Sequence, residues 1–85
     1  MSDGRITETA VNYLLDLGML LKKDALEARA KAVASKGTDA YEFDSGRAFA
    51  YYEVISIMQQ QAAAFGVPLE ALSLADVDAD RDLMQ

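Results

Sequence analysis

Small and apolar residues recur every three or four positions through the first part of the chain. This spacing places them on one side of a helix, and no proline interrupts the pattern. Gly18 weakens such a helix by roughly 1 kcal/mol relative to alanine, and Lys36 followed by Gly37 is a typical helix end. The pattern predicts one helix over about residues 5–36 whose buried stripe is Ala10, Leu14, Leu17, Leu21, Ala25, Ala28 and Ala32.

A second stretch with helical spacing runs to Phe65 and ends at Gly66. Its start has two candidates, because Asp39 and Glu42 have the spacing of a capping box and Asp44 to Gly46 offers another start. We therefore expect a connector over 37–44 and a helix from residue 39 or 45 to residue 65. The predicted buried stripe is Ala48, Tyr51, Tyr52, Ile55, Met58, Ala62 and Phe65.

The last fifth of the chain is acidic and less regular. Pro68 suits the first turn of a short helix over about 68–72. Residues 73–85 are expected either to lay a turn or two of helix across the two long helices or to form a partly frayed tail. The whole pattern predicts a single all-α domain over residues 1–85, an antiparallel two-helix hairpin with a short C-terminal helix.

The first helix carries more apolar side chains than one hairpin partner can cover. Val11, Leu15, Met19 and Leu26 lie off its buried stripe. Burying four such side chains gains about 6–12 kcal/mol per chain, which is comparable to the roughly 4–15 kcal/mol that association costs. These residues are therefore the predicted self-association surface, and two hairpins would form a homodimeric four-helix bundle. The alternative is that the C-terminal segment covers them within one chain.

Composition narrows the available chemistry. The chain has no cysteine and no histidine, which excludes disulfides and thiol catalysis and removes the commonest general base. No nucleotide-binding loop, nucleophile motif or paired-carboxylate spacing is present. We expect no enzyme activity and no cofactor. No export signal or membrane-length apolar run is visible, so the cytoplasm is the expected location.

The net charge of −6 is unevenly distributed. Residues 37–85 contain nine acidic and two basic side chains, whereas residues 1–36 are nearly balanced. Such a chain repels nucleic acid at long range, so we expect neither nucleic acid nor membrane as a partner. The basic side chains around Lys22 are expected to be a solvated face, although they could bind the acidic tail of the same or a partner chain.

The densest acidic run is Asp76-Val77-Asp78-Ala79-Asp80-Arg81-Asp82. Its alternating aspartates resemble the start of a calcium loop, but Arg81 stands where that loop requires glycine. We expect no metal site and interpret the run as a solvated acidic segment that caps a short helix. The same four aspartates are the only feature that favours a second interpretation, an acidic mimic of DNA.

The connector supplies the predicted anchors for a protein partner. Tyr41 and Phe43 are large side chains outside the periodic stripes, and their alternative role is to cap the end of the bundle. Arg47 lies near a predicted helix start, where a cation opposes the helix dipole. We expect it either to serve a partner or, preferably, to form an ion pair with Glu42 or Asp44.

Residues 46–54 (Gly-Arg-Ala-Phe-Ala-Tyr-Tyr-Glu-Val), continuing to residues 64–69 (Ala-Phe-Gly-Val-Pro-Leu), resemble small uncharacterised helical proteins of proteobacterial genomes and their prophages. The resemblance covers about half of the chain and carries no activity. It implies a bacterial or phage cytoplasmic setting and assigns no role to any residue.

The sequence thus predicts a non-catalytic protein–protein interaction module, such as an inhibitor or adaptor. It would dock one helical face on an unidentified protein, with aromatic and leucine side chains as anchors. The alternatives are the acidic DNA mimic and a small DNA-binding regulator. Net charge disfavours the regulator, because the second helix holds only Arg47 as a basic residue.

Overall fold

The computed structural model describes the backbone of residues 4–84 and the side chains of residues 7–84, so Gln85 lies outside the described part. Helix α1 spans Gly4–Ala34 and helix α2 spans Tyr41–Ala64. A short 3-10 helix follows at Leu69–Leu72, and helix α3 spans Ala79–Leu83. The described residues form helices and connections without a β-strand. The all-α hairpin with a short C-terminal helix that the pattern predicts is confirmed.

The connector is shorter than the sequence suggested, covering residues 35–40. It is held locally, since the Thr38 hydroxyl donates to the Ser35 carbonyl at 2.6 Å and accepts the Ala40 amide at 3.3 Å. Helix α2 begins at Tyr41, and the flanking Ala40 provides no side-chain cap. The capping box expected from Asp39 is therefore absent, and neither proposed start is the observed one. Tyr41 and Phe43 belong to the first turn of α2 rather than to the connector.

Helix α2 ends where the sequence predicts a stop. Gly66 has a φ of 69°, a left-handed conformation that glycine adopts without steric cost. The Val67 amide then donates back to the Ala62 carbonyl at 2.8 Å, which satisfies a carbonyl of the last helical turn. The chain is thereby turned back across the hairpin. We call residues 67–84, which include the 3-10 helix and α3, the strap.

The strap supplies most of the main buried cluster. The main buried cluster combines Ala25 of α1 and Ile55 and Ala62 of α2 with five strap residues, which are Leu72, Leu74, Val77, Ala79 and Leu83. Leu74 is fully buried and Leu83 nearly so. The sequence left two arrangements open for residues 73–85, a segment laid across the hairpin or a frayed tail. The structure shows the first of these arrangements. The strap, rather than contact between the long helices alone, closes the hydrophobic core.

The backbone of the strap lies very close to α1 at Gly18. A Cβ built on Gly18 would overlap the carbonyl oxygen of Leu72 and lie 2.8 Å from its carbonyl carbon. Only glycine therefore allows the 3-10 helix to rest directly on the α1 backbone. The sequence indicated that a glycine at this position weakens the helix, and the structure shows the packing that requires a glycine there.

The far half of the hairpin packs large side chains against small ones. Ala28 and Ala32 of α1 and Ala48 of α2 form a second buried cluster, and Tyr51 packs against it. Because α2 is the shorter helix, the start of α1 projects beyond it, and every described side chain from Thr7 to Leu14 is exposed. The molecule is consequently a rod of 57 × 20 × 16 Å.

Candidate interaction surface

Polar contacts fasten the strap to both long helices. Lys22 of α1 donates to Asp76 at 2.8 Å, and the Tyr52 hydroxyl of α2 donates to Asp80 at 2.8 Å. The bond from Lys22 lowers the pKa of Asp76, and the bond to the Asp80 carboxylate raises the pKa of the Tyr52 phenol. One cation of the basic patch thus binds the acidic tail of its own chain.

The other two aspartates of the acidic run organise helix α3. Asp78 is its N-cap and accepts the Arg81 amide at 3.0 Å, while Asp82 accepts the Asp78 amide at 2.9 Å. The Arg81 guanidinium also contacts both oxygens of Asp82, at 2.9 and 3.1 Å. These bonds lower the pKa of Asp82 to about 2. The run caps a short helix, as the sequence indicated.

The carboxylates of this run do not converge. Within residues 4–84, no group of three acidic side chains is placed to hold a metal ion. Asp76 and Asp80 instead bind different helices, and Asp78 and Asp82 bind the backbone of α3. The arrangement serves strap docking and offers no single row of carboxylates.

Two further strap contacts were not recognised in the sequence. The Gln59 amide nitrogen donates to the Leu74 carbonyl at 3.2 Å and to the Val77 carbonyl at 2.9 Å. The Ser73 hydroxyl donates to the Leu15 carbonyl at 2.9 Å, and Ser73 itself adopts a left-handed φ of 58°. Neither contact has a local sequence signal, because each joins residues far apart in the chain.

The predicted self-association residues of α1 divide into two groups. Val11, Met19 and Leu26 remain 45%, 49% and 43% exposed. Leu15 is half-buried, and its carbonyl lies beneath Ser73 of the strap. Coverage by the C-terminal segment, the alternative that the sequence left open, therefore applies to Leu15 and not to the other three residues.

The predicted partner anchors Tyr41, Phe43 and Arg47 also differ in their exposure and contacts. Tyr41 is half-buried and lines a cavity of about 230 Å³ at the connector end together with Phe49 and Met84. Phe43 points to the opposite side of α2 and is 75% exposed. Only Phe43 of these two aromatic residues is therefore placed to anchor a partner, and Tyr41 helps to close the end of the bundle.

Arg47 has a different contact from the one expected. Within residues 4–84 no ion pair joins it to Glu42 or Asp44, so the predicted structural ion pair is wrong. Its guanidinium lies 5.3 Å from the centre of the Tyr51 ring, a cation–π contact. Arg47 is exposed in the second turn of α2, beyond the first turn where the dipole acts most strongly. Stacking on Tyr51 leaves its donors available to a partner.

An exposed seam, apolar apart from Arg47 and Gln61, runs along α2 about 120° around the helix from its buried residues. Successive residues of this seam are four and then three positions apart along the chain, as in a coiled coil. All of them are exposed, and Phe65 beside the last position is 77% exposed although the sequence placed it in the buried stripe. We call this seam the outer face of α2; it consists of Phe43, Arg47, Ala50, Val54, Ile57, Gln61 and Ala64.

The outer face continues into a shallow apolar groove at the end of the hairpin remote from the connector. The groove has a volume of about 240 Å³. It is lined by Leu14 of α1, by Leu72 and Val67 of the strap, and by Met58, Gln61, Ala62 and Phe65 from the end of α2. Phe65, which is 77% exposed, forms part of the groove's rim, where another side chain can dock.

The accessible area of the chain is large for its mass. It amounts to 5830 Å², whereas a compact protein of 9.2 kDa exposes about 4,900 Å². The excess of about 900 Å² reflects the elongated form of the chain, whose extents are 57 × 20 × 16 Å.

No family model matches the chain, and no curated protein or solved structure is significantly similar to it. Within residues 4–84, no helix has both the length and the apolarity needed to cross a bilayer.

Proposed function

We propose that this chain is a non-catalytic protein–protein interaction module that binds a second copy of itself and one further protein, as an inhibitor or adaptor in a bacterial or phage cytoplasm. The observation that carries the proposal is the uncovered apolar surface on a hairpin whose other side is closed by its own strap. Among the described side chains, Phe43 and Phe65 are the two most exposed large apolar ones, at 75% and 77%. Exposed aromatic residues of this kind are the usual anchors of protein interfaces.

The polar groups of the chain support a non-catalytic role. A depression of about 720 Å³ is an open groove between α2 and the strap. Its carboxylates are committed to Lys22, Tyr52 and the α3 backbone, which leaves them in structural roles. This distribution also weakens the DNA-mimic interpretation, because mimicry requires carboxylates that face a partner. The single basic residue of α2, Arg47, gives the DNA-binding interpretation little support.

A pull-down from a bacterial lysate tests the proposal, with the wild-type chain compared with Phe43→Ala. The wild type should retain one protein in stoichiometric amount through high salt, since apolar anchors are insensitive to screening. Loss of an aromatic anchor costs about 2 kcal/mol or more, so Phe43→Ala should weaken binding roughly 30-fold. Gln60→Ala, an exposed position off the outer face, is the matched control and should bind like the wild type. Recovery of the chain alone would contradict the proposal of a further partner.

A further inference from the structure

The cavity at the connector end of the hairpin is bounded by α1, α2 and the strap together. It has a volume of about 230 Å³ and lies between the end of α1, the start of α2 and the end of the strap. Much of its wall is apolar, with Val33 of α1, Phe49 of α2 and Met84 of the strap among the lining residues. A cavity of about 150 Å³ can hold a benzene ring. The connector-end cavity therefore has room for a single ring that carries a small polar group.

The polar residues of this cavity supply positive charge and hydroxyl groups. Arg29 of α1 and Lys36 of the connector line it, together with Tyr41 and Ser45 of α2. Within residues 4–84, neither basic side chain forms an ion pair or a hydrogen bond, and neither hydroxyl has a hydrogen-bond partner. The chain as a whole has a net charge of −6. A cavity wall whose charged residues are both basic is therefore complementary to an anion, in contrast to most of the surface.

The position of Arg29 is not explained by the helix that carries it. A cation stabilises the C-terminus of a helix within the last turn, and in α1 that place is taken by Lys31. Arg29 lies before that turn and is half-buried. Partial burial of an unpaired charge is unfavourable, and an anion beside it offsets the cost. Glu42 and Asp44, which are adjacent in sequence to lining residues of α2, do not line the cavity themselves.

The chemistry of the lining residues favours a carboxylate as that anion. An arginine guanidinium presents parallel N–H groups that match the two oxygens of a carboxylate. Lys36 adds a second positive charge, and the hydroxyls of Tyr41 and Ser45 are further donors. An aromatic ring attached to the carboxylate would pack against Phe49 and Met84, since rings associate favourably with both aromatic and thioether side chains.

We propose that the connector-end cavity binds a small organic carboxylate that carries one apolar ring. The inference goes beyond the proposed function and does not depend on it, because the cavity and the outer face of α2 are separate surfaces. Phe43 of the outer face is not part of the cavity lining. The chain would thus have one site for a small anion and another surface for a protein.

Titration of the full chain with phenylacetate, followed by two-dimensional NMR, tests the proposal. The resonances of Tyr41, Phe49 and Met84 should shift and saturate with a dissociation constant of roughly 1 mM or below. Phenylacetamide, which has the same shape but no charge, and acetate, which lacks the ring, should each bind roughly tenfold more weakly. Equal binding of phenylacetate and phenylacetamide would overturn the role of the two cations. The absence of saturable shifts up to about 10 mM phenylacetate would overturn the site itself.

Two matched variants test whether the cavity, rather than general attraction to α1, is responsible. Arg29→Gln and Lys31→Gln each remove one positive charge from α1, but only Arg29 lines the cavity. Arg29→Gln should raise the dissociation constant of phenylacetate roughly tenfold, whereas Lys31→Gln should change it by less than about twofold. Equal effects of the two substitutions would overturn the proposal.

Circular dichroism should show that both variants fold like the wild type. Lys36→Gln, at an exposed position of the connector, is a second variant that does not disturb a helix, and it should raise the dissociation constant roughly twofold to fivefold. No change with Lys36→Gln and Arg29→Gln alike would also overturn the site. Phe43→Ala should leave phenylacetate binding unchanged, so a failure of this site and a failure of the proposed partner binding are distinguishable.

Discussion

Gly18→Ala is the sharpest test of how the strap is seated. In an ordinary helix interior this change stabilises a protein by up to about 1 kcal/mol. Here the added methyl group would overlap the Leu72 carbonyl oxygen and lie 2.8 Å from the carbonyl carbon. The obstructing atoms belong to the backbone, so no side-chain rotation relieves the overlap. The strap must move outward by on the order of 1 Å or more to restore ordinary contact distances.

The size of the effect follows from what that movement disturbs. Overpacking that the structure absorbs costs about 1–3 kcal/mol, and backbone obstruction places the cost at the upper end of that range. After the helix-propensity gain is subtracted, the net loss of unfolding free energy should be about 2 kcal/mol. Complete detachment would expose Leu72, Leu74, Val77 and Leu83, at about 6–12 kcal/mol in total. That is comparable to the whole stability expected of a domain of this size, so a detached strap means an unfolded chain.

Thermal denaturation followed by circular dichroism measures this loss, which corresponds to a fall in Tm of roughly 8–16 °C. Gly46→Ala is the matched control, because a Cβ on Gly46 meets no atom within 4 Å. It should raise the Tm slightly. A Gly18→Ala variant whose Tm rises as much as that of Gly46→Ala would refute the close approach of strap and helix. Faster exchange of the Leu74 amide, which donates to the Leu69 carbonyl at 3.0 Å, should accompany the loss.

Gln59→Glu should lower the unfolding free energy by roughly 1–3 kcal/mol, because a carboxylate would face the two strap carbonyls that the amide now satisfies. Gln60→Glu is the control and should change it by less than about 0.5 kcal/mol, so equal urea midpoints would contradict this role. The Tyr52–Asp80 bond should be lost in alkali. The folded-state pKa of Tyr52 is raised above 10.0. The contribution of this hydrogen bond to the free energy of unfolding is therefore complete below pH 10.0 and is lost as the pH rises through the raised pKa. The urea midpoint of the wild type should therefore fall at alkaline pH, and the urea midpoint of Tyr52→Phe should not show this fall. The pKa of Asp82, about 2, is below its ordinary 3.8, so its contribution is complete above pH 3.8 and is lost as the pH falls through 2. Asp82→Asn should abolish this acid loss, and an unchanged acid midpoint would contradict it.

The two long helices could be predicted from periodicity because their buried residues recur at fixed intervals. The strap was predicted only as one of two alternatives, because the short and irregular run of Leu74, Val77 and Leu83 does not show by itself whether it packs on the hairpin. Their burial depends on a groove that exists only after α1 and α2 have paired. Gly18 illustrates the same limit, because its cost to the helix is local, whereas its contact with Leu72 joins residues more than fifty positions apart.

The interaction surface was partly predictable for a related reason. Tyr41 and Phe43 are two positions apart, so on a helix they point about 200° away from each other. Treating both as connector residues concealed this separation. The outer face of α2 has a clear spacing of four and three residues, but the buried stripe of the same helix has helical spacing as well. Without the position of α1 and the strap, the sequence alone does not show which of the two faces is covered.

The elongated form of the chain has a hydrodynamic consequence. A rod nearly three times as long as it is wide experiences more friction than a sphere of equal mass and elutes early from a sizing column. Side-by-side association thickens such a rod without lengthening it, so a pair would be rounder than either component. The frictional ratio should therefore fall as mass doubles, and elution volume alone would understate the difference between one chain and two.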